Sequence, residues 1–219
     1  MSAELSTIID FIRYGASQFG RAGLTFGHSF DNALDESTQL VLHALHLQHD
    51  IGPAYGQAKL TTDEKQAVLA LIQRRVVERI PACYLTGNAW FASLNFKSDK
   101  RALVPRSPIA ELIESGFEPW IGDLQVERAL DLCTGSGCIA IAMAHYNPDW
   151  QVDGVDISAE ALSLANENKD RLYATNCEFI ESDLFNGVQG KVYDLIVTNP
   201  PYVTNDETDA LPKEYSYEP

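Results

Sequence analysis

At 219 residues the chain has room for one large domain or two small ones, and 45% hydrophobic with 21% charged residues is a globular composition that excludes intrinsic disorder. Its 16 basic and 31 acidic residues leave a formal charge of −15, which repels a phosphate backbone and disfavours nonspecific nucleic-acid binding. Cys83, Cys133, Cys138 and Cys177 match neither a paired zinc pattern nor a small disulfide framework; with no basic-then-apolar leader and no apolar run of about 18 residues, a cytoplasmic chain with reduced thiols and no membrane contact is expected.

Ile8, Ile9, Phe11, Ile12, Ala16 and Phe19 recur at three- and four-residue spacing and predict a helix over Ile8 to Phe19. Leu34, Val41, Leu42 and Leu45 predict a second, from about Ala33 to Gln48. On it, His43, His46 and His49 fall at i, i+3 and i+6; with no further clustered ligand they read as surface imidazoles, and no metal is expected. Thr61-x-x-Glu64 is a capping-box pattern that opens a third helix, running through Val68, Leu69, Leu71, Ile72, Val76 and Ile80 until Pro81 ends it. A helical N-terminal domain over 1–82 follows. Tyr84, Trp90, Phe91, Leu94 and Phe96, around the turn signal Thr86-Gly87-Asn88, predict a hairpin linker over 83–107.

Beyond a short helix near Ile109 to Ser115 the pattern becomes strand, turn, helix over 108–219. A strand over Arg128 to Cys133 leads through Thr134 to Gly137 into a helix over Cys138 to Tyr146; a strand over Gln151 to Asp156 leads into a helix from about Ser158 to Arg171. Two further strands, Cys177 to Ile180 and Tyr193 to Thr198, complete the series, the last ending in Asn199-Pro-Pro-Tyr202. Such alternation predicts an α/β fold with a mostly parallel sheet and a ligand at the carboxyl ends of its strands.

Gly135-Ser-Gly137 opens a helix directly after a strand, where a missing Cβ lets the backbone turn and a ligand approach the main chain. Asp156 ends the next strand 19 residues after Gly137, placed to accept from both ribose hydroxyls of an adenosine. A nucleoside-containing cofactor follows, its identity open at this level. Asp131, four residues before Gly135, suits a cationic cofactor better than a pyrophosphate, and Asp183 follows the third strand, where it can accept from an adenine amino group. In Asn199-Pro200-Pro201-Tyr202 the prolines fix the turn, so that the Asn199 amide oxygen and the Pro200 carbonyl can both face one planar NH2 group, with Tyr202 over its flat side.

Asp131-Leu-Cys-Thr-Gly-Ser-Gly137, Gly154-Val-Asp-Ile-Ser158, Glu181-Ser-Asp183 and Asn199-Pro-Pro-Tyr202 together resemble the motifs of class I S-adenosylmethionine-dependent methyltransferases of the protein-(glutamine-N5) branch. The stretch from Arg79-Ile-Pro to Leu103-Val-Pro-Arg-Ser-Pro108 and the tail Leu211-Pro-x-Glu-Tyr215 are similar to the subfamily that modifies ribosomal protein L3. The resemblance implies a Rossmann-like domain and methyl transfer from S-adenosylmethionine, with S-adenosylhomocysteine as product and no metal. The acceptor it implies is a glutamine side-chain amide of ribosomal protein L3, free or in a large-subunit precursor. It assigns the cofactor to Asp131, Cys133, Thr134, Gly135, Ser136, Gly137, Asp156, Asp183, Leu184 and Asn199. Substrate binding falls to Asn199, Pro200, Pro201 and Tyr202, and catalysis to Asn199, Pro200 and Tyr202. Substrate recognition falls to the helical N-terminal domain. Members of the family continue past a fourth strand, so a domain incomplete at its C-terminus is implied. A release-factor glutamine methyltransferase, a nucleic-acid adenine-N6 methyltransferase with its similar Asn-Pro-Pro-aromatic motif, and an inactive cofactor-binding fragment remain open.

Charge is uneven along the chain. Lys65, Arg74, Arg75, Arg79, Lys97, Lys100, Arg101 and Arg106 face only Glu78 and Asp99, so 65–106 carries 8 − 2 = +6 and the remainder −21. The stretch reads either as a solvated face or as a contact for ribosomal RNA, the acidic remainder then facing a basic ribosomal protein.

Overall fold

Residues 4–28, 30–49, 51–122, 124–201 and 211–219 are described by a computed structural model, in which the chain forms two units: 1–87 with Leu211–Tyr217, and 88–210 with Glu218–Pro219.

In the first unit, helix α1 (Ile8–Arg21) opens on a capping box in which the Thr7 hydroxyl accepts from the Asp10 amide and Asp10 accepts from the Thr7 amide. Gly15 lets α2 (Ala33–Ala44) come close: a Cβ there would lie 2.3 Å from Ser37 Oγ, which instead donates to the Ile12 carbonyl at 2.8 Å. The third helix, α3 (Thr62–Glu78), carries the predicted Thr61/Glu64 capping box. Phe11, Phe19, Leu40, Leu42, Val68 and Ile72 form the core between them.

Two helix ends differ from expectation. The second helix stops at Ala44, because Leu47 donates back to the Leu42 carbonyl across a left-handed His46, so His43, His46 and His49 do not share one helical face. The third stops at a left-handed Arg79, and Pro81 instead begins a short helix, α4 (Ala82–Thr86). Among the described residues no group of three or more metal-ligating side chains gathers anywhere.

Arg75, fully buried, donates through Nε to Glu36 at 2.5 Å and through Nη2 to the Thr25 carbonyl at 2.9 Å. Glu214, from the tail, is equally buried and accepts from Arg79 at 2.8 Å and from the Thr25 amide at 3.1 Å.

The second unit begins with a hairpin of β1 (Asn88–Phe91) and β2 (Leu94–Lys97), antiparallel with Phe91 opposite Leu94, followed by α5 (Ile109–Glu114). The residues 83–107, expected to form a linker, are thus divided: Cys83–Thr86 end α4 in the first unit, whereas the hairpin packs with the sheet-bearing unit. Buried Asn168 makes that attachment, accepting from the Lys97 amide at 2.7 Å and donating to the Lys97 and Ser136 carbonyls.

The sheet consists of β3 (Arg128–Leu132), β4 (Gln151–Asp156), β5 (Cys177–Glu181) and β6 (Leu195–Thr198) in the order β5-β4-β3-β6, every pair parallel. Parallel neighbours need crossovers, supplied by α6 (Cys138–Tyr146), whose residues Cys138 to Ala144 are all buried, and by α7 (Ala159–Leu172). The strand order reverses between β3 and β6, the position at which Rossmann-like sheets leave a crevice for ligands. This is the α/β arrangement with a parallel sheet that the alternation of strands and helices predicts.

Most of the basic island is ion-paired. Arg74 pairs with Glu78, Arg75 is interior, Arg79 meets Glu214, Lys97 pairs with Glu167, Arg101 with Asp99 and Glu167, and Arg106 with Glu218.

Candidate functional site

A cavity of about 330 Å³ lies at the carboxyl ends of the four parallel strands. Cys133, Thr134, Gly135 and Ser136 enter it after β3, Asp156 and Ile157 after β4, Asp183 and Leu184 after β5, and Asn199 and Pro201 after β6. Four motifs separated by up to 66 positions in the chain therefore converge on one space.

The loop after β3 owes its shape to positive φ. Cys133 (φ 65°) turns the chain out of the strand one residue earlier than expected, and Gly135 (φ 55°) and Gly137 (φ 80°) carry it into α6. The two glycines serve different needs. A Cβ on Gly137 would lie 2.6 Å from Phe179 and 2.9 Å from Ala165, so that glycine permits helix–sheet packing; at Gly135 only Ala102 comes within 4 Å, leaving the main chain open to a ligand. β4 pins the loop, since the Thr134 amide donates to the Val155 carbonyl at 2.9 Å and the Gly135 amide to Asp156 Oδ2 at 2.8 Å.

Asp156 thus shapes the glycine loop, and its other oxygen accepts from the Ser158 amide at 3.0 Å as α7 begins. After β5, buried Ser182 shapes the turn by donating to the Leu184 carbonyl and accepting from the Gly187 amide, leaving Asp183 exposed beside the cavity. Thr198 Oγ1 donates to the Leu132 carbonyl at 2.7 Å and so fixes the end of β6, and with it Asn199, against the end of β3.

Asp131 departs from the expectation of a cofactor contact. It is 0% exposed and outside the cavity lining; its Oδ2 accepts from Thr134 Oγ1 and from the Ala140 amide, bracing the loop from beneath, and Oδ1 has no hydrogen-bond partner among the described residues. Burial pushes its carboxyl up to about 7. Gly137 and Pro200 are also absent from the lining, and Tyr202 lies outside the described residues. Burial likewise raises the thiols of two cysteines that do line the cavity, Cys133 and Cys138, the second to about 12, so neither is a ready thiolate.

Sequence reasoning missed a further part of the lining. Ala102 to Ser107 and Pro219 form it, and its one sequence signal was the proline-bracketed Val104-Pro-Arg-Ser-Pro108.

A family model described as methyltransferase small domain matches residues 117–213. The chain is 76% identical over 216 residues to a ribosomal protein uL3 glutamine methyltransferase of Xanthomonas campestris, an alignment covering 99% of this chain and 70% of that protein. It is 52% identical over 218 residues to the protein of the same description from Neisseria gonorrhoeae, covering 99% and 73%. Among solved structures, the Thermus thermophilus 16S rRNA N2 G1207 methyltransferase in complex with AdoMet and guanosine aligns with a TM-score of 0.43 and 19% identity, over 54% of this chain and 33% of that one. Identity of this degree, running through the helical unit as well as the four cavity motifs, settles the grouping: the chain belongs to the ribosomal protein uL3 glutamine methyltransferase family.

Proposed function

We propose that this chain transfers a methyl group from S-adenosylmethionine to the side-chain amide nitrogen of a glutamine in ribosomal protein uL3. The observation that carries the reading is the convergence of Gly135, Asp156, Asp183 and Asn199 on one strand-end cavity. The donor set suits the cofactor. Two carboxylates on neighbouring strand ends match ribose hydroxyls and an adenine amino group, Val104, Ile157 and Leu184 offer apolar flanks to a flat heterocycle, and the open face of Gly135 admits close main-chain approach. Thr134, Ser136 and Cys133 complete the cradle beside the loop. When bound, S-adenosylmethionine supplies an electrophilic methyl group on a sulfonium.

A glutamine amide is a poor nucleophile because its nitrogen lone pair is delocalised into the carbonyl. Asn199 and the Pro200 carbonyl accept hydrogen bonds from the substrate NH2, orient the nitrogen and stabilise the positive charge that grows on it. Pro201 fixes the turn, and the role proposed for Tyr202, by the resemblance of the Asn-Pro-Pro-Tyr motif, is to cover the amide plane. Proximity supplies much of the remaining acceleration, and the surplus proton passes to water. Asp131 acts here as a brace for the glycine loop instead of a cofactor ligand.

The helical unit is the proposed recognition domain for uL3, free or in a precursor particle, in the cytoplasm. The net charge of −15 suits a basic protein partner. Contact between the 65–106 stretch and ribosomal RNA is the weaker half of the partner reading, since Arg75 is interior and its basic neighbours are largely ion-paired. A competition assay with labelled cofactor, offering uL3, a release factor and an adenine-containing oligonucleotide together, tests the substrate class. Label on uL3 supports the proposal, and label on either competitor instead refutes it.

A further inference from the structure

Asn168 stands on α7 seven residues after Ala161 and four after Leu164, both buried, at a position where helical spacing calls for an apolar side chain. It is itself 0% exposed, and its amide meets three main-chain groups: Oδ1 accepts from the Lys97 amide at 2.7 Å, and Nδ2 donates to the Lys97 carbonyl at 3.2 Å and to the Ser136 carbonyl at 3.0 Å. Both segments it reaches lead into the cavity lining. Ser136 belongs to the glycine loop, and Lys97 ends β2 four residues before the lining segment that starts at Arg101. That segment is seated on the same helix, since Arg101 pairs with Glu167 at 2.7 Å and Ala102 packs with Ala161 and Leu164. The Ser136–Gly137 peptide unit is held at both of its polar ends, its carbonyl by Asn168 and its amide by the Thr134 carbonyl at 2.9 Å. Gly137, at φ 80°, has no Cβ to bar rotation of that unit, so these two hydrogen bonds set its orientation.

We infer that Asn168 is a positioning residue of the cofactor cavity: by fixing the Ser136–Gly137 peptide and the end of β2 to one side chain, it holds the glycine loop in the shape that admits the cofactor. The inference rests on the reading of the cavity as the S-adenosylmethionine site. A buried amide costs free energy unless its donors and acceptor are paired, and an aliphatic side chain of similar size would pack the helix without that cost. What the amide adds is control over main-chain direction. Removing Nδ2 takes a buried donor from the Ser136 carbonyl and lets the peptide turn, so binding must first select the competent loop shape, and apparent affinity falls by the fraction of chains that hold it. Asn168 is outside the cavity lining, so it acts through the loop and not by touching the ligand.

The experiment is calorimetric titration of S-adenosylhomocysteine into the full chain for the native protein, Asn168→Leu, Asn168→Asp and a control, Asn176→Leu, with hydrogen exchange at the Gly137 amide and thermal unfolding of each without ligand. Asn176, just before β5 at the amino end of that strand, also donates to three carbonyls, those of Ala144, Asn147 and Trp150, and none of these residues lines the cavity. Both Asn168 variants are expected to bind about tenfold more weakly or worse and to exchange the Gly137 amide about tenfold faster. Asn176→Leu should lower the unfolding temperature while binding as the native chain does. Native affinity or native Gly137 exchange in a folded Asn168 variant overturns the inference, as does equal weakening by Asn176→Leu. Should one Asn168 variant fail to fold, the other decides; should neither fold, the residue serves the fold alone and the inference falls. A native chain that does not bind S-adenosylhomocysteine overturns the cofactor reading and the inference with it, whereas native binding that the Asn168 variants share unchanged overturns the inference alone.

Discussion

The Gly135 amide donates to Asp156 Oδ2 at 2.8 Å, so one carboxylate both shapes the glycine loop and faces the space proposed for the ribose. Asp156→Ala removes both functions. Loss of a charge-assisted hydrogen bond costs about 1.5–3 kcal/mol, so affinity for S-adenosylhomocysteine should fall by roughly 10- to 150-fold in titration calorimetry. Unchanged affinity would remove Asp156 from the cofactor site.

Asn199 stands just beyond β6, which Thr198 ties to the Leu132 carbonyl. Asn199→Ala should lower turnover on uL3 by about 10²–10³, the usual cost of removing one preorganised group, with a smaller change in cofactor affinity. Single-turnover kinetics at saturating cofactor separate the two effects, and a near-native rate would refute the role.

Glu36 and Arg75 are buried together, so truncating Glu36 takes from the buried guanidinium its nearest carboxylate and leaves it only Glu214, at 3.7 Å. Glu36→Ala should destabilise the protein by about 3–5 kcal/mol, and Glu36→Ala with Arg75→Met should recover a large part of that loss in urea denaturation. Equal losses in the single and double variants would show that side-chain packing, and not uncompensated charge, dominates.

Asp131 carries a pH signature. Its folded carboxyl is pushed up to about 7 by burial from an ordinary value of 3.8, so between these values the folded chain holds a proton that the unfolded chain has released. Its contribution to stability is therefore complete below about pH 4 and is lost as pH rises through about 7. Asp131→Asn, which keeps an acceptor for Thr134, should flatten that part of the stability profile in thermal unfolding between pH 4 and 8. An unaltered profile would place the proton elsewhere.

Elements whose signals are local were legible in the sequence. Cys138–Tyr146 and Gln151–Asp156 are read with the bounds the structure has: an apolar run between Gly137 and Asn147-Pro148 marks the helix, and the strand follows that punctuation and ends before Ser158, which caps the next helix. The strand-end carboxylates and the Asn199 turn were legible as motifs because their chemistry needs fixed residue types. Long-range pairing was not. Arg75 meets Glu36 at 39 positions' separation and Arg106 meets Glu218 at 112, and nothing local distinguishes those arginines from solvated ones, which is why 65–106 looked like a basic surface. Asp131 is at the strand end that the sequence indicates, but its burial beneath the loop, with Thr134 and the Ala140 amide on one oxygen, depends on the left-handed turn at Cys133, which no local signal marks.

The central claim is methyl transfer to a glutamine amide, and tandem mass spectrometry of uL3 after incubation with the chain and isotopically labelled S-adenosylmethionine tests it most directly. The account predicts a single labelled methyl group on the side-chain nitrogen of one glutamine, absent when Asn199→Ala replaces the native chain. Label confined to any other residue type, or equal labelling by the variant, would contradict it.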